Sequence, residues 1–344
     1  MKRSLLILVV TAAVWTSCSK TETVNQPQGM AIGFTNAYIG NPVESKAVGI
    51  INRENITEFI VYGGYNDNDM THVFNGVSVT GSADTDEWSY TTTRYWVAGK
   101  TYKFAAYAPS GINGTVETDF ATGTLNFTNY VSDPSNQHDL IYDAADPITT
   151  PDPIEAPLDK VQFGFSHLLS MIKFTFNSGF GNDITVTVDS LNVSGMISKG
   201  DYIGKIGEWT LGSETVNREV AFTEMSSNTA VNQSSGNTSA SSVDFAVLPQ
   251  EIGGAGKTVT VSFDVWVQDN SGNDIIGKKG GAGVNVSATL PAYKWEKGNR
   301  YNYTVTIKGE NVDLFPIEFG TPTVDGITDA NFDGSDEIDV QPTI

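Results

Sequence analysis

Three histidines, His72, His138 and His167, are the side chains best suited to proton transfer or metal ligation at neutral pH. They lie far apart, and no pair has a metal-ligand spacing. His138 is followed by Asp139, but neighbours on a strand point to opposite faces, so this pair reads as structural. His167 has Phe165 two residues before it and Leu169 two after, which makes it a hydrogen-bonded core histidine on an apolar face. The 40 acidic side chains could supply a carboxylate pair for glycoside hydrolysis, but nothing selects one. Gly-Lys-Lys-Gly-Gly-Ala-Gly at residues 277–283 precedes a strand pattern rather than a helix, and so reads as a hairpin loop, not a phosphate cradle. Asp329, Asn331, Asp333 and Gly334 match positions 1, 3, 5 and 6 of a calcium loop. Position 12, ordinarily a bidentate Glu, is Val340, so the ligand set is incomplete and a solvated turn is the alternative. The expectation is no enzyme and no cofactor.

The one remaining reactive side chain is Cys18, the only cysteine. Lys2 and Arg3 precede an apolar run over residues 5–15, too short to cross a bilayer about 30 Å thick and patterned as an export signal. Thr16-Ser17-Cys18 follows and resembles the lipobox of bacterial lipoproteins, with Trp15 where Leu is usual. The resemblance implies cleavage before Cys18, acylation of its sulfur, and an outer-membrane anchor carrying palmitate. An ordinary signal peptide with a cysteine near the cut is the alternative. One cysteine leaves no disulfide framework, so a packed core must hold the exported fold.

The elements that would carry these residues are strands. The chain has 344 residues, a length that suggests about two domains. It is 39% hydrophobic and only 17% charged, enough apolar surface for a core. With 34 Gly, 13 Pro and plentiful Ser, Thr and Asn, it favours short strands and turns over helices. A net charge of −20 without a basic cluster excludes nucleic acid as a partner. Period-two patterns recur: Val259, Val261, Phe263, Val265 and Val267; Tyr301, Tyr303, Val305 and Ile307; Tyr102, Phe104, Ala106 and Ala108 against Lys103 and Tyr107. These predict antiparallel strands, as do shorter runs such as residues 70–74 and 243–248, punctuated by turns such as Asn75-Gly76. The spacing predicts an all-β chain of sandwich domains. Four prolines within residues 146–159 exclude a central strand there and mark a domain boundary. Residues 226–242, rich in Ser, Asn and Thr, read as a long loop. The expected organisation is a signal peptide at 1–17, a tether at 18–29, an N-terminal sandwich at 30–157, and a C-terminal sandwich with an acidic tail at 158–344.

Several stretches in order resemble one family. They include Ala31-Ile32-Gly33-Phe34, Phe59-Ile60-Val61-Tyr62-Gly63, Trp88-Ser89-Tyr90 with Arg94-Tyr95-Trp96, and Tyr102-Lys103-Phe104-Ala105-Ala106-Tyr107-Ala108-Pro109. They continue with Phe165-Ser166-His167-Leu168-Leu169-Ser170-Met171-Ile172-Lys173-Phe174, Val247-Leu248-Pro249-Gln250, and Trp295-Glu296-Lys297-Gly298-Asn299-Arg300-Tyr301-Asn302-Tyr303. Together, behind the lipobox, they resemble the fimbrillin family of Gram-negative gut and oral anaerobes. The resemblance implies two transthyretin-like (Ig-like) antiparallel β-sandwiches in tandem. It implies a lipid-anchored precursor of a surface pilus subunit that partners other pilins by strand exchange and contributes to adhesion.

Two segments could exchange by adding a strand to an open sheet edge. Ile32, Phe34 and Tyr38 give residues 30–46 the apolar side chains of a first strand. In the family an arginine-specific protease cuts after this strand; here Lys46 stands at that place and Arg53 is the next candidate, which leaves open an accessory subunit that keeps its lipid. At the other end, Ile338, Val340 and Ile344 alternate, although Pro342 interrupts a ladder. The alternative function is a monomeric surface lipoprotein that binds a host glycan or protein through loops bearing Trp88, Trp96 and Trp295, side chains that serve equally well as core.

Overall fold

The computed structural model describes residues 30–39, 50–52, 55–65, 69–82, 85, 87–132, 139–181, 183–222, 229–231, 239–278, 283–308 and 319–326. Among them every named element is a strand. The first nine are β1 (Phe34–Ile39), β2 (Glu58–Gly64), β3 (Phe74–Ser82), β4 (Glu87–Ser89), β5 (Thr101–Ala108), β6 (Thr115–Asp119), β7 (Thr124–Val131), β8 (Ile141–Thr149) and β9 (Val161–His167). There follow β10 (Ser170–Ser178), β11 (Ile184–Ile197), β12 (Lys199–Ile203), β13 (Glu208–Leu211), β14 (Thr215–Glu219), β15 (Thr229–Val231), β16 (Ser239–Ser241) and β17 (Phe245–Val247). The last are β18 (Glu251–Ile252), β19 (Thr260–Asp269), β20 (Asp274–Ile276), β21 (Val284–Thr289), β22 (Tyr293–Lys294), β23 (Asn299–Ile307) and β24 (Thr323–Gly326).

Seven strands form one sheet in the order β1-β9-β8-β5-β2-β3-β4, and its two ends, β1 and β4, approach each other so that the sheet curls around its inner side chains. That inner face holds Phe34, Phe59, Phe74, Phe104, Phe163 and their neighbours. The outer face carries Ile60, Ala105, Tyr107 and Tyr142, which pack against Leu125, Phe127, Tyr130 and Tyr202 of a four-stranded sheet ordered β13-β12-β7-β6. Two further sheets, β16-β10-β23-β24 with β17, and β14-β11-β19-β20 with β15 and β21, enclose a third core of Val, Ile and Phe. The period-two run of β19 is realised as expected: Val259, Val261, Phe263, Val265 and Val267 are all buried in it.

The structure differs from the sequence reading in five places. Tyr107 is buried rather than exposed, because β5 lies between two cores and fills both with alternate side chains. Not every pair is antiparallel: β1 with β9 and β10 with β23 run parallel, each joining strands distant in the chain. Residues 70–73 form a turn, closed by Asp69, whose Oδ1 accepts from Thr71 N (2.7 Å). Residues 146–149 continue β8, with Asp146 and Pro147 opposite Lys103 where the register shifts. A bulge is where a strand tolerates proline, and β9 pairs with β8 only at Ile141 and Tyr142, leaving this end one-sided. Within residues 226–242, β15 and β16 are short strands on β11 and β10.

The sheets also cross residue 157. β9 completes the first sheet, and the β12–β13 hairpin extends the sheet begun by β6 and β7.

Candidate functional site

The segment leading into β1 is wedged between strand and loop. Ile32 N donates to Arg94 O (2.8 Å), and Trp96 N donates to Met30 O (2.9 Å). Tyr90 Oη donates to Ile32 O (2.6 Å), and Val161 N donates to Gly33 O (2.8 Å). Ile32 and Phe34 are buried, at 2% and 1% exposure. The Phe34 ring meets five others edge-on or stacked: Phe59 at 6.0 Å, Phe74 at 5.4 Å, Tyr90 at 5.7 Å, Phe104 at 6.4 Å and Phe163 at 6.0 Å. Offset and edge-to-face contacts of this kind add to the burial of each ring. β1 nevertheless sits at the end of its sheet and takes its ladder bonds from β9 alone, with an irregularity between Thr35 and Ala37. The Tyr38 backbone lies opposite Gly164.

Where the described chain resumes after β1, a tightly bonded hook holds it. Asn52 N donates to Asn55 Oδ1 (2.8 Å), Asn55 N donates to Asn52 Oδ1 (2.9 Å), and Asn55 Nδ2 donates to Ile50 O (2.7 Å). Asp139 ties this hook to the sheet. Its Oδ2 accepts from Ile51 N (3.2 Å) and lies 2.6 Å from His167 Nδ1, while its Oδ1 accepts from Leu140 N (2.8 Å). Asp139 and His167 are both buried. Asp139 therefore pairs with His167, and His167 is the core histidine its flanking residues predict. No adjacency in the sequence announces this pair; it exists because Leu168 N donates to Leu140 O (2.8 Å) and draws the two chains together. His72 lies in an exposed turn, its Nε2 accepting from Tyr65 N (3.3 Å) and its Nδ1 donating to Asp69 O (2.8 Å).

The proposed aromatic loops do not offer open platforms. Trp295 is 1% exposed, with Nε1 donating to Tyr303 Oη (2.9 Å), and Trp96 is 5% exposed, edge-on to Tyr102 at 4.7 Å. Trp88 packs on Phe59 at 4.8 Å with its Nε1 buried. A cleft is lined by Trp295 together with Trp209, which is the more exposed of the two and which the sequence reading passed over. Its alternation with Leu211 in Glu-Trp-Thr-Leu was the available signal. Cys18, Lys46, Arg53, His138, Asp329, Asn331, Asp333, Ile338, Val340 and Ile344 lie outside the described residues. Among the described residues no three His, Cys, Asp or Glu side chains gather into a metal site.

The tyrosines between the sheets are set in a dry environment. Burial pushes the Tyr107 and Tyr202 hydroxyls up to about 12, and raises Tyr142 and Tyr130 further. They stay neutral and act as packing and hydrogen-bonding groups, as when Tyr142 Oη accepts from Leu125 N (3.1 Å).

Comparison with known proteins bears on this architecture. A search of curated proteins finds no match. Among solved structures, a fimbrial protein from Bacteroides vulgatus is 17% identical, with 87% of this chain and 100% of that one covered, at a TM-score of 0.56. A candidate cell adhesion protein from Bacteroides uniformis is 16% identical, covering 88% and 100%, with a TM-score of 0.49. The fimbrial anchor protein Mfa2 from Porphyromonas gingivalis is 11% identical, covering 86% and 98%, with a TM-score of 0.38. At these identities the first similarity speaks for the fold. A family model described as fimbrillin-like matches residues 45–320, most of the chain. The match spans every described strand from β2 to β23, and the chain belongs to the fimbrillin-like family.

Proposed function

We propose that the chain is a structural or accessory subunit of a surface fimbria, exported as a lipoprotein, anchored in the outer membrane through Cys18, and assembled with other pilins by strand exchange. Two transthyretin-like sandwich units in tandem, sharing strands across residue 157, form its body. The observation that carries this reading is the position of β1: an edge strand, paired parallel on one side, whose Phe34 fills the middle of an aromatic core. Its departure would leave Val161 to Phe165 of β9 without a ladder partner and open a groove lined by Phe59, Phe74, Tyr90, Phe104 and Phe163. A groove of that kind accepts an extended strand from another subunit. Cleavage at Lys46 or Arg53 would release β1, and the tail carrying Ile338, Val340 and Ile344 is the proposed donor. Contribution to adhesion follows from display at the cell surface.

The test is fractionation of expressing cells in mild detergent. Wild-type chain is expected to run as a ladder of high-mass species that deletion of residues 336–344 abolishes while leaving the monomer folded. A monomer-only pattern for wild type overturns the polymer reading, and unchanged ladders after the deletion overturn the donor role of the tail.

A further inference from the structure

A cleft that strand exchange does not use lies between β13 and the β18–β22 ribbon. Its volume is about 460 Å³, within the range of small-ligand sites. Glu208, Trp209 and Leu211 form one wall, on the sheet shared with β6 and β7; Glu251, Lys257 and Lys294 stand on the other. Trp209 is held rigidly. Its Nε1 donates to Leu168 O (2.8 Å), and its ring packs against Tyr130 at 5.3 Å and Tyr202 at 5.4 Å, while the part of the indole left uncovered lines the cleft.

The rim alternates in charge. Lys257 Nζ is 2.8 Å from Glu251, Lys294 Nζ is 2.9 Å from Glu296, and Glu251 and Lys294 face each other in the β18–β22 register. Lys297 Nζ donates to Gly207 O and lies 5.6 Å over the Tyr202 ring. Glu208 is exposed and makes no ion pair among the described residues. Three carboxylates thus stand with three ammonium groups around an aromatic wall.

We propose that this cleft binds the neutral end of a glycan, one or two pyranose rings stacked on Trp209 and hydrogen-bonded by Glu208 and the Lys–Glu rim. The balance of charge is what selects the class. A phosphate or a sialylated sugar calls for a net positive site, and a lipid calls for walls free of charge. A β-strand peptide needs an open ladder, and β18 and β22 offer only two residues each. A neutral pyranose has an apolar C–H face for an indole and hydroxyls that both donate to carboxylates and accept from ammonium groups. Exposed Lys–Glu pairs contribute little to the fold, so their hydrogen bonds can be redirected to a sugar at small cost. The site goes beyond the strand-exchange reading and does not depend on it.

The experiment applies the full, detergent-solubilised chain to an array of neutral, sialylated and phosphorylated glycans, then titrates it calorimetrically with the neutral disaccharides retained. Neutral termini are expected to bind, and Glu208→Gln to weaken them about tenfold with an unchanged melting temperature, as loss of a charged hydrogen bond does. Trp209→Phe is expected to weaken them as well. Because Trp209 also supports Tyr130 and Tyr202, the exposed Glu208 variant is the decisive one. Retention of no neutral glycan, retention of acidic glycans alone, or wild-type affinity in Glu208→Gln would overturn the proposal.

Discussion

The core beneath β1 and the core beneath β19 are built on opposite plans. Around β1, aromatic rings converge on one side chain: Phe34 touches five of them, on a strand with a ladder partner on one side only. Around β19, the load is spread along a fourteen-residue strand and a ten-residue strand, β11 and β19, paired from Ile184 opposite Asp269 to Ser194 opposite Thr260 with one shift of register between Asp189 and Asn192. Val186, Val188, Val193, Val261 and Val265 each supply one modest contribution there. Both plans bury apolar surface, but only the first concentrates it on an edge strand. A fold that must give up one strand and accept another in its place needs the first plan; a fold that must simply persist is better served by the second.

The sharpest way to break this contrast is to truncate one side chain in each core. Phe34→Ala is expected to destabilise the chain by about 3–5 kcal/mol, since it removes a fully buried ring and leaves a cavity among five others. Val265→Ala is expected to cost about 2 kcal/mol, because a smaller side chain is lost from a ladder that stays paired on both sides. Denaturant melts give the totals. Hydrogen exchange locates them, with Phe34→Ala releasing amides of β1 and β9 before those of β11 and β19. Equal losses, or release of β11 first, would show that the aromatic cluster is no more concentrated than the valine ladder.

A second variant asks where the region proposed to exchange ends. Asp139→Ala removes the acceptor for Ile51 N, Leu140 N and His167 Nδ1 at once, the last two buried and the first half-buried. Unsatisfied buried donors cost about 1–3 kcal/mol each when nothing replaces the acceptor, and partial relaxation brings the expected total to about 2–4 kcal/mol. Exchange should speed first at Ile51 and Ile56, whose amides depend on the hook, and the β19 ladder should not respond. Faster exchange spread evenly over both cores would remove Asp139 as the boundary of the region.

Much of this was legible in the sequence, and what was not has a physical reason. Alternation named the buried faces of β19 and β23 because each pairs one core with a wetter side. It failed for Tyr107, since alternation alone cannot tell a solvated face from a second core. Ile32 and Phe34 were recognisable as a first strand from their size and spacing, but that β1 lies parallel on β9 depends on a partner more than a hundred residues away. The Asp139–His167 contact is of the same long-range kind. Trp209 escaped because a tryptophan on a short strand looks alike in core and cleft until its neighbours are placed.

The smallest expected effect comes from Asp143, which reads the same edge through pH. Its Oδ2 accepts from Gly164 N (2.8 Å), a donor on β9 beyond the last β8–β9 pair, and Gly164 is also the residue opposite Tyr38 of β1. Burial raises its carboxyl above the usual range, more than the amides of Gly164 and Ala144 lower it, with the Asp146 charge adding to the rise. Between the unfolded value near 3.9 and the raised folded value, the folded chain holds the proton more tightly than the unfolded one. The group therefore favours folding at low pH, and that advantage is lost as pH rises through the folded value. Asp143→Asn keeps an oxygen for Gly164 N and cannot ionise. Its melting temperature should match wild type near pH 3 and exceed it slightly at pH 7. A difference that does not change between those pH values would show that the carboxyl titrates as it does in water. Repeating the comparison on chain cut and freed of β1 sharpens it further, because opening the β9 edge to water should shrink the difference, whereas a valine-ladder variant such as Val265→Ala should keep its deficit in either state.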